Sequence, residues 1–389
     1  MIRYFTAGES HGKALVGVVE GIPAGVPITA EYINHQLWRR QQGFGRGARM
    51  RIESDEVEIL SGVRFGKTLG TPVSMVIHNA DSPKWEKVMD IEGAGKGVDR
   101  ITIPRPGHAD YAGALKYGYD DIRNAIERSS ARETAMRVAC CTIPRKLLEE
   151  YGIFIGSHVV SIGSASAKDR RAINSAIAKG IRASCAAYKV TELADKSEVR
   201  MLDADAASAA INQIQDARKR GDTLGGIFEI IVTGLPVGLG SYVQSDRRLD
   251  GQLAQALMSI QAVKGVEVGD GFRNAVRPGS EVHDEFQVVR GKVARRTNNA
   301  GGLEGGITNG EMLVLHAAMK PISTLANPLK SIDLRSRKAV KARYERSDVC
   351  AVPACSVIGE AAIAPVLANA FLEKFGGDST IEISRHYRR

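Results

Sequence analysis

The feature that most constrains the fold is an internal repeat with a constant spacing of 213 positions (221 − 8). Residues 8–12 read Gly-Glu-Ser-His-Gly, and residues 221–225 read Gly-Asp-Thr-Leu-Gly. The same register relates residues 21–25, Gly-Ile-Pro-Ala-Gly, to residues 234–238, Gly-Leu-Pro-Val-Gly. Because glycine and proline fix backbone turns, their match in register favours duplication of one structural unit.

Each copy of the repeat continues with the same predicted elements. Residues Ala14–Val19 and Ile227–Val232 are rich in β-branched side chains, which is typical of strands. A helical pattern follows in each copy, over Ala30–Gln42 and Arg248–Val263. Each half is therefore predicted to run strand, Gly-Pro turn, helix.

Further patterns predict the fold class. Additional helices are predicted at Asp121–Tyr151, Asp203–Arg220 and Val357–Phe375, and strands at Val57–Leu60, Val73–His78, Ile155–Ile162 and Met312–Ala317. Strand and helix do not alternate strictly, which favours antiparallel sheets over a doubly wound parallel sheet. No Pro/Ser-rich hinge divides the sequence, so residues 1–389 are predicted to form one α+β domain.

Composition excludes several classes of protein. The chain is 43% hydrophobic and 25% charged, which argues against disorder. Apolar runs such as Glu360–Leu372 are interrupted, and the first residues lack the apolar core of a secretory signal. We therefore expect no membrane segment and a cytoplasmic location. Five cysteines include no C-x-x-C pair, which predicts reduced buried thiols and no metal site.

The formal net charge of +9 favours anionic partners. Five arginines lie within residues 39–51, interleaved with glycine: Arg39, Arg40, Arg46, Arg49 and Arg51. Guanidinium groups bind phosphate bidentately, and glycine permits close backbone approach, so a ligand site is one interpretation. A solvated basic loop or a nucleic-acid surface is the other. The aromatic content of 5% disfavours a protein that stacks on single-stranded bases.

Two histidines lie in short turn-like segments, where functional side chains are common. His11 follows Gly-Glu-Ser, and His108 lies within Pro-Arg-Pro-Gly-His-Ala-Asp. Histidine can protonate a leaving phosphate or hold charge beside a cofactor, whereas a turn histidine bound only to backbone groups is the alternative. The second copy of the repeat has Leu224 in place of His11, so the backbone does not require histidine there. A chemical role for His11 is therefore favoured.

Three other segments are candidate ligand contacts. Residues 127–134 read Glu-Arg-Ser-Ser-Ala-Arg-Glu-Thr. Their small side chains could form a surface against which a planar ligand packs, or their acidic and basic side chains could simply form ion pairs on a helix. Residues 298–310 form a glycine- and amide-rich loop that could bind a ring or phosphate through backbone N–H groups. Arg346-Ser347-Asp348 is either a functional cation–carboxylate pair or a surface salt bridge. No phosphate loop or dinucleotide fingerprint is present.

Together these motifs closely resemble those of the chorismate synthase family. The resemblance covers essentially the whole chain through residues 8–12, 127–134 and 346–350. Further matches are residues 43–47 (Gly-Phe-Gly-Arg-Gly), 104–110, 298–306 and 320–324 (Lys-Pro-Ile-Ser-Thr). No motif position departs from the family pattern.

The resemblance implies a reaction, a cofactor and an architecture. The reaction is a 1,4-anti elimination of phosphate from 5-enolpyruvylshikimate 3-phosphate, which yields chorismate in the shikimate pathway without net redox change. The cofactor is reduced FMN. The implied fold is a β-α-β sandwich, with a helical core between two antiparallel sheets, and the implied assembly is a homotetramer. The missing dinucleotide fingerprint favours reduction by a separate flavin reductase, with NADPH as an indirect reductant.

The resemblance also implies site residues. His11 would protonate the substrate phosphate, His108 would stabilise the reduced flavin, and Asp348 would help remove the C6 proton. Substrate binding is implied for Ser10, Arg40, Arg46, Arg49, Arg132 and Arg346. Flavin contacts are implied for Ser130, Ala131, Arg132, Gln261, Ala262, Gly305, Lys320, Pro321, Ile322, Ser323, Thr324 and Arg346.

Two rival functions remain at this point. A polyanion-binding protein would bind any polyanion with a steep salt dependence, but it leaves the His, Asp and Gly motifs unexplained. A flavin-dependent oxidoreductase would consume reduced nicotinamide in proportion to product.

Overall fold

The computed structural model describes residues 1–47, 54–167, 186–345 and 347–387. The strands are β1 (Arg3–Ala7), β2 (Ala14–Glu20), β3 (Glu58–Ile59), β4 (Val63–Arg64), β5 (Lys67–Thr68), β6 (Val73–His78), β7 (Phe154–Ile162), β8 (Ala165–Ser166), β9 (Gly226–Thr233), β10 (Val263–Val268), β11 (Phe286–Val289), β12 (Lys292–Arg295), β13 (Leu303–Glu304), β14 (Ile307–Thr308), β15 (Leu313–Met319), β16 (Lys330–Ile332) and β17 (Ala339–Lys341).

The helices are α1 (Ala30–Gln41), α2 (Asp110–Tyr117), α3 (Arg123–Ser129), α4 (Glu133–Glu150), α5 (Ala186–Ala194), α6 (Ala204–Arg220), α7 (Leu249–Met258), α8 (Gly271–Asn274), α9 (Gly279–Val282), α10 (Val352–Phe375) and α11 (Thr380–Tyr387).

Two antiparallel sheets have the same strand order. The first sheet is β1-β2-β6-β3, and the second contains β7-β9-β15-β10 with β8 added at one edge. The turns correspond in detail as well. Thr68 Oγ1 donates to the carbonyl of Pro23 and accepts from the N–H of Val26. Thr308 Oγ1 makes the same two bonds with Pro236 and Leu239, which lie 213 positions after Pro23 and Val26. The predicted duplication is confirmed.

Two long helices, α4 and α10, pack between the sheets. Gly17 of β2 permits the close approach of α4, since a Cβ there would lie 2.4 Å from Cys140 Sγ. On α10, a Cβ at Gly359 would lie 2.7 Å from the ring of Phe228 in β9. The predicted helical core between two antiparallel sheets is therefore confirmed. Four cysteines are free and buried, as expected for reduced thiols: Cys140, Cys141, Cys350 and Cys355.

A buried ionic cluster crosses the helical layer. Glu360 of α10 is fully buried and accepts hydrogen bonds from Arg39 (Nη1, 2.7 Å) and Arg145 (Nη1, 2.5 Å). Burial alone raises the pKa of Glu360, but the surrounding guanidinium groups hold it well below its ordinary value. Arg39 therefore belongs to the core, and the structure separates it from the arginine cluster predicted to bind a ligand. Although α10 is long and apolar enough to cross a membrane, 83% of its apolar window is buried in the protein.

Two predicted helices differ from the structure. The predicted helix Asp121–Tyr151 is divided into α3 and α4, because Ser130 adopts an extended conformation with ψ 141°. The predicted helix Arg248–Val263 ends at Met258, and Val263 instead begins β10, where its strand pairs with β15. In both places tertiary contacts outweigh the helical periodicity. Helix α10 begins at Val352 rather than Val357, with Pro353 in its first turn, where proline is tolerated.

Candidate active site

Both central helices begin at the same end of the sandwich. Arg40, near the end of α1, bonds to Thr134 in the first turn of α4, while a Cβ at Gly43 would lie 3.0 Å from Pro353 in the first turn of α10. Helix N-termini carry partial positive charge, which favours anions. The two copies of the repeat loop, residues 8–12 and 221–225, also lie at this end of the sandwich. Ser10 N donates to the carbonyl of Glu127, and Leu224 N donates to that of Val349.

Two buried arginines share one carboxylate here. Arg40 Nη2 lies 2.6 Å from Asp55 Oδ2, and Arg132 forms a second ion pair with Asp55. Burial and the charges of Arg46 and Arg132 lower the pKa of Arg40. Burial raises the pKa of Asp55, but the two arginines outweigh it and hold the carboxyl below its usual value. Arg40 Nε is buried and has no hydrogen-bond partner in the part of the chain described. The buried Nε of Arg40 is thus a hydrogen-bond donor that remains unsatisfied by the described residues.

The first repeat loop contacts the break between α3 and α4. Ser130 Oγ donates to Ser10 Oγ at 3.1 Å, and Arg132 N donates to Ser130 Oγ at 3.3 Å. Ala131 accepts a hydrogen bond from Thr134 Oγ1 through its carbonyl. The division of the predicted helix therefore brings Ser130, Ala131 and Arg132 to the loop that carries His11.

His108 is held by a buried carboxylate. Its Nδ1 lies 2.5 Å from Asp110 Oδ1, and Arg105 Nε donates to Asp110 Oδ2 at 2.9 Å. Burial raises the pKa of Asp110, but hydrogen bonds from His108 and Arg105 reverse this and hold it well below its ordinary value. Sequence reasoning missed Asp110 and Arg105 as site residues. The available signal was that both charged residues flank His108 within one short motif.

The predicted flavin segment Lys320–Thr324 joins the two sides of this end. Lys320 Nζ donates to the carbonyl of Gly107, and Arg105 Nη1 donates to Thr324 Oγ1 at 3.0 Å. Lys320 N donates to the carbonyl of Ala262. Gln261 Nε2 in turn reaches Glu133 of α4 at 3.2 Å. A polar route of contacts thus connects the His108 segment with the start of α4.

Within the same segment, two further residues contact the second repeat loop. Thr223 Oγ1 donates to the carbonyl of Ile322 at 2.7 Å. The backbone of Pro321 approaches Gly225, where an added Cβ would lie 2.8 Å from Pro321 N. Ser323 lies against the His108 loop, since a Cβ at Gly107 would be 3.7 Å from Ser323 Cβ.

Asp348 lies beside a cavity of about 310 Å³. Its Oδ2 is 3.1 Å from Arg46 Nη1, and its Oδ1 accepts a hydrogen bond from Gly47 N at 2.6 Å. Sequence reasoning missed Arg218 and Tyr344, which also line this cavity. Neither residue belongs to a motif recognised in the sequence, so only the folded chain reveals them.

One predicted contact is not brought to this place, and two others cannot be located. Gly305 lies in the turn between β13 and β14. This turn is at one end of the second sheet, and Lys320 is at the other end. Seven residues of β15 separate the two ends, which corresponds to about 20 Å. Gly305 thus remains a prediction. Arg49 and Arg346 fall outside the described residues.

Comparison with known proteins decides the family. Residues 2–372 match the family model described as chorismate synthase. The chain belongs to the chorismate synthase family. It is 57% identical over 386 residues to the chorismate synthase of Pelodictyon phaeoclathratiforme, covering 98% of this chain and 96% of that one. The chorismate synthase of Chlorobaculum tepidum is 57% identical over 385 residues, covering 98% and 96%.

A solved structure supports the same conclusion. The crystal structure of a chorismate synthase superposes with a TM-score of 0.79 and is 42% identical, covering 100% of this chain and 96% of that chain. The predicted family, α+β fold and lyase activity are therefore confirmed. As a member of this family, the chain eliminates phosphate from 5-enolpyruvylshikimate 3-phosphate to form chorismate in the shikimate pathway. The oxidoreductase and polyanion-binding alternatives are set aside.

Proposed function

We propose that the end of the sandwich where α4 and α10 begin binds the substrate beside reduced FMN. The observation that carries this proposal is the buried Nε of Arg40, which has no hydrogen-bond partner among the described residues although its Nη2 is paired with Asp55. A substrate with one phosphate and two carboxylates offers the anionic acceptors that such a buried guanidinium donor requires. The helix N-termini add to the attraction. Arg46, Arg49, Arg346 and Ser10 complete the proposed substrate contacts.

His11 is proposed to donate the proton to the departing phosphate. Elimination of phosphate needs a proton donor at the leaving oxygen, and an imidazole can supply it near neutral pH. The neighbouring Ser10 is buried and bonded to Ser130, which fixes the loop that carries His11.

The residues around His108 fit a flavin. Gln261 Oε1 is buried without a hydrogen-bond partner among the described residues, as expected of a group that awaits a donor such as a flavin N–H. Lys320, Arg132 and Arg346 would hold the anionic cofactor, together with Ser130, Ala131, Ala262, Gly305 and residues 321–324. When bound, reduced FMN supplies the electron density that assists loss of phosphate. His108, oriented by Asp110, would place a positive charge beside it.

Asp348 is proposed to act on the opposite side of the reaction, where the C6 proton leaves. Its carboxylate is oriented by Gly47 N and paired with Arg46, at the edge of the 310 Å³ cavity. A carboxylate held in this way is fixed in direction before the substrate arrives.

The test is anaerobic turnover of 5-enolpyruvylshikimate 3-phosphate with chemically reduced FMN. We expect chorismate and phosphate in equal amounts, with the flavin still reduced afterwards. Flavin oxidised one-for-one with substrate, or no product, would contradict the proposal.

Arg40→Lys keeps the positive charge but removes the forked guanidinium group, so KM should rise about 10-fold or more, as expected for one lost charged contact.

We further propose a cytoplasmic homotetramer whose flavin is reduced by a separate reductase, with NADPH as the indirect electron source. The position of Gly305 supports an oligomer, because one chain holds it about a strand length, some 20 Å, from Lys320. A second copy could bring Gly305 to that flavin. Mixing inactive His11→Ala and inactive Gly305→Trp subunits tests this point. If the sites are shared, mixed oligomers recover activity, whereas recovery is absent if each chain holds a complete site.

A further inference from the structure

The imidazole of His11 is held by a single buried carboxylate. Glu127 Oε1 lies 2.9 Å from His11 Nδ1, and Glu127 Oε2 accepts a hydrogen bond from His11 N at 2.8 Å. The Glu127 side chain is only 1% exposed. One carboxylate thus fixes both the backbone and the ring of His11.

Glu127 is ionised in this setting. Burial by itself raises the pKa of Glu127, but the hydrogen bond from His11 and the charge of Arg123 hold it below the ordinary value. Arg123 Nη1 donates to Glu127 Oε1 at 3.0 Å from one turn earlier in α3. An ionised carboxylate only accepts hydrogen bonds, so the ring nitrogen that faces it must carry a hydrogen. Nδ1 therefore keeps its hydrogen in both charge states of the ring, and the exchangeable proton belongs to Nε2.

An aromatic contact restricts the ring further. The rings of His11 and Trp85 lie with their centroids 4.0 Å apart, and the guanidinium of Arg123 lies 4.9 Å from the centroid of Trp85. Trp85 Nε1 is directed to Asp81 Oδ2 at 3.3 Å. Charged groups near His11 include Glu127 and Arg123 of α3 and, through Trp85, Asp81. Rotation of the imidazole would break contacts on two sides.

The second half of the molecule lacks the histidine of this pair at the corresponding position of the repeat. Leu224 stands where the first half has His11, and its N–H bonds to the carbonyl of Val349 rather than to a carboxylate. Where the imidazole is replaced, the backbone N–H therefore donates to a carbonyl instead of a carboxylate. This pattern is expected if the function of the Glu127 carboxylate is to position the His11 imidazole.

We propose that Glu127 is a positioning residue for His11, which it holds as the Nδ1–H tautomer so that the proton transferred to phosphate comes from Nε2. The proposal rests on the proposed role of His11 as proton donor. Trp85 supports the same ring orientation from one face. Neither Glu127 nor Trp85 is expected to touch the substrate.

The first test uses the unaltered protein without substrate. The ¹⁵N chemical shifts of the His11 ring, assigned with His11→Gln, report which nitrogen carries the hydrogen. We expect the Nδ1–H form. A neutral ring with hydrogen on Nε2 alone overturns the proposal, whatever the activity of the protein. Because no turnover is measured, this result is independent of the proposed function.

The second test replaces the carboxylate by its uncharged isostere. Glu127→Gln should give a mixture of His11 tautomers and lower kcat about 10- to 100-fold, with KM changed less than about twofold, because only the proton transfer is weakened. Glu127→Asp should recover part of kcat. The matched control is Glu149→Gln, which removes a partly buried carboxylate bonded to Tyr32 and Arg145 near the end of α4. It should leave the His11 signals unchanged.

A purely structural role predicts a different result. Glu127→Gln would then lower the melting temperature and leave the His11 tautomer as in the unaltered protein. That outcome contradicts the proposal.

Discussion

The two halves of the molecule share a backbone and differ in chemistry. In the first sheet Val16 pairs with Val76, and Val16 is 40% exposed on the outer face. At the corresponding place in the second sheet Glu229 pairs with His316, and both are buried. The repeat loops differ in the same way, with His11 in one and Leu224 in the other. Duplication has thus preserved strand order and turns, while side chains have diverged wherever the backbone did not require them.

The outer face of the second sheet shows how far this divergence goes. Glu229 accepts hydrogen bonds from His158 Nε2 at 3.0 Å and His316 Nε2 at 2.7 Å, across three neighbouring strands. Nearby, Ala187 and Val190 of α5 pack against Ile231. A face that is open in one half has therefore become a second interior in the other, where the buried carboxylate is paired with two histidines.

The largest expected difference between the halves is in the repeat loops. His11→Ala should lower turnover about 10²- to 10⁴-fold, which is the usual contribution of a general acid. Leu224→Met, at the equivalent position, should change turnover less than about twofold, because its role is packing. Anaerobic assays with reduced FMN supplied measure both. Full turnover by His11→Ala would remove the functional asymmetry on which the comparison rests.

The next effect concerns the buried carboxylate of the second sheet. Glu229→Gln should lower the free energy of unfolding by about 3 kcal/mol at pH 7, because two histidines lose a charged partner. Val16→Gln, on the open face of the first sheet, should cost less than about 0.5 kcal/mol. Urea denaturation of both variants makes the comparison. Similar losses for the two would show that the two faces are energetically alike.

This carboxylate also predicts a pH dependence. Burial raises the pKa of Glu229, but hydrogen bonds from His158 and His316 hold it well below its ordinary value. A depressed carboxyl pKa contributes stability above the unfolded value, about 4.3 for glutamate, and loses it as the pH falls. The difference between Glu229→Gln and the unaltered protein should therefore stay nearly constant from about pH 7 to pH 5 and shrink as the pH falls below about 4.3. A difference that does not change with pH would contradict this.

The smallest effects test whether the halves are equivalent where the backbone is preserved. Thr68→Val and Thr308→Val each remove one donated and one accepted hydrogen bond at corresponding turns. Each should lower the free energy of unfolding by about 1–2 kcal/mol. The two losses should agree within about 0.5 kcal/mol. A loss in only one variant would show that the turns do not carry equal weight.

The sequence predicted those parts of the fold that depend on local signals. Asp203 caps α6 and Gly221 ends it in a left-handed conformation, as expected from their positions. The break at Ser130 was not predicted, because apolar residues such as Ile126 and Met136 continue at helical spacing across it. Only the contacts with the first repeat loop explain why the helix stops there.

The site was predicted less completely, for a related reason. His11, His108 and Asp348 stand in recognisable motifs, whereas Asp55 does not. Glu127 begins a recognisable motif, but its contact with His11 joins positions that are 116 residues apart. Arg39 and Arg40 are neighbours in the sequence but lie about 100° apart around α1. One therefore enters the core and the other enters the site, a difference that the spacing of arginines does not reveal.

Glu360 has a consequence for the newly made chain. Helix α10 is 24 residues long and largely apolar, so a nascent α10 resembles a segment that the insertion machinery transfers into lipid. An acidic residue near the centre of such a segment opposes insertion by about 3 kcal/mol. Arg39 and Arg145 are synthesised before Glu360, so this carboxylate also favours retention of the newly made helix in water until it packs against them.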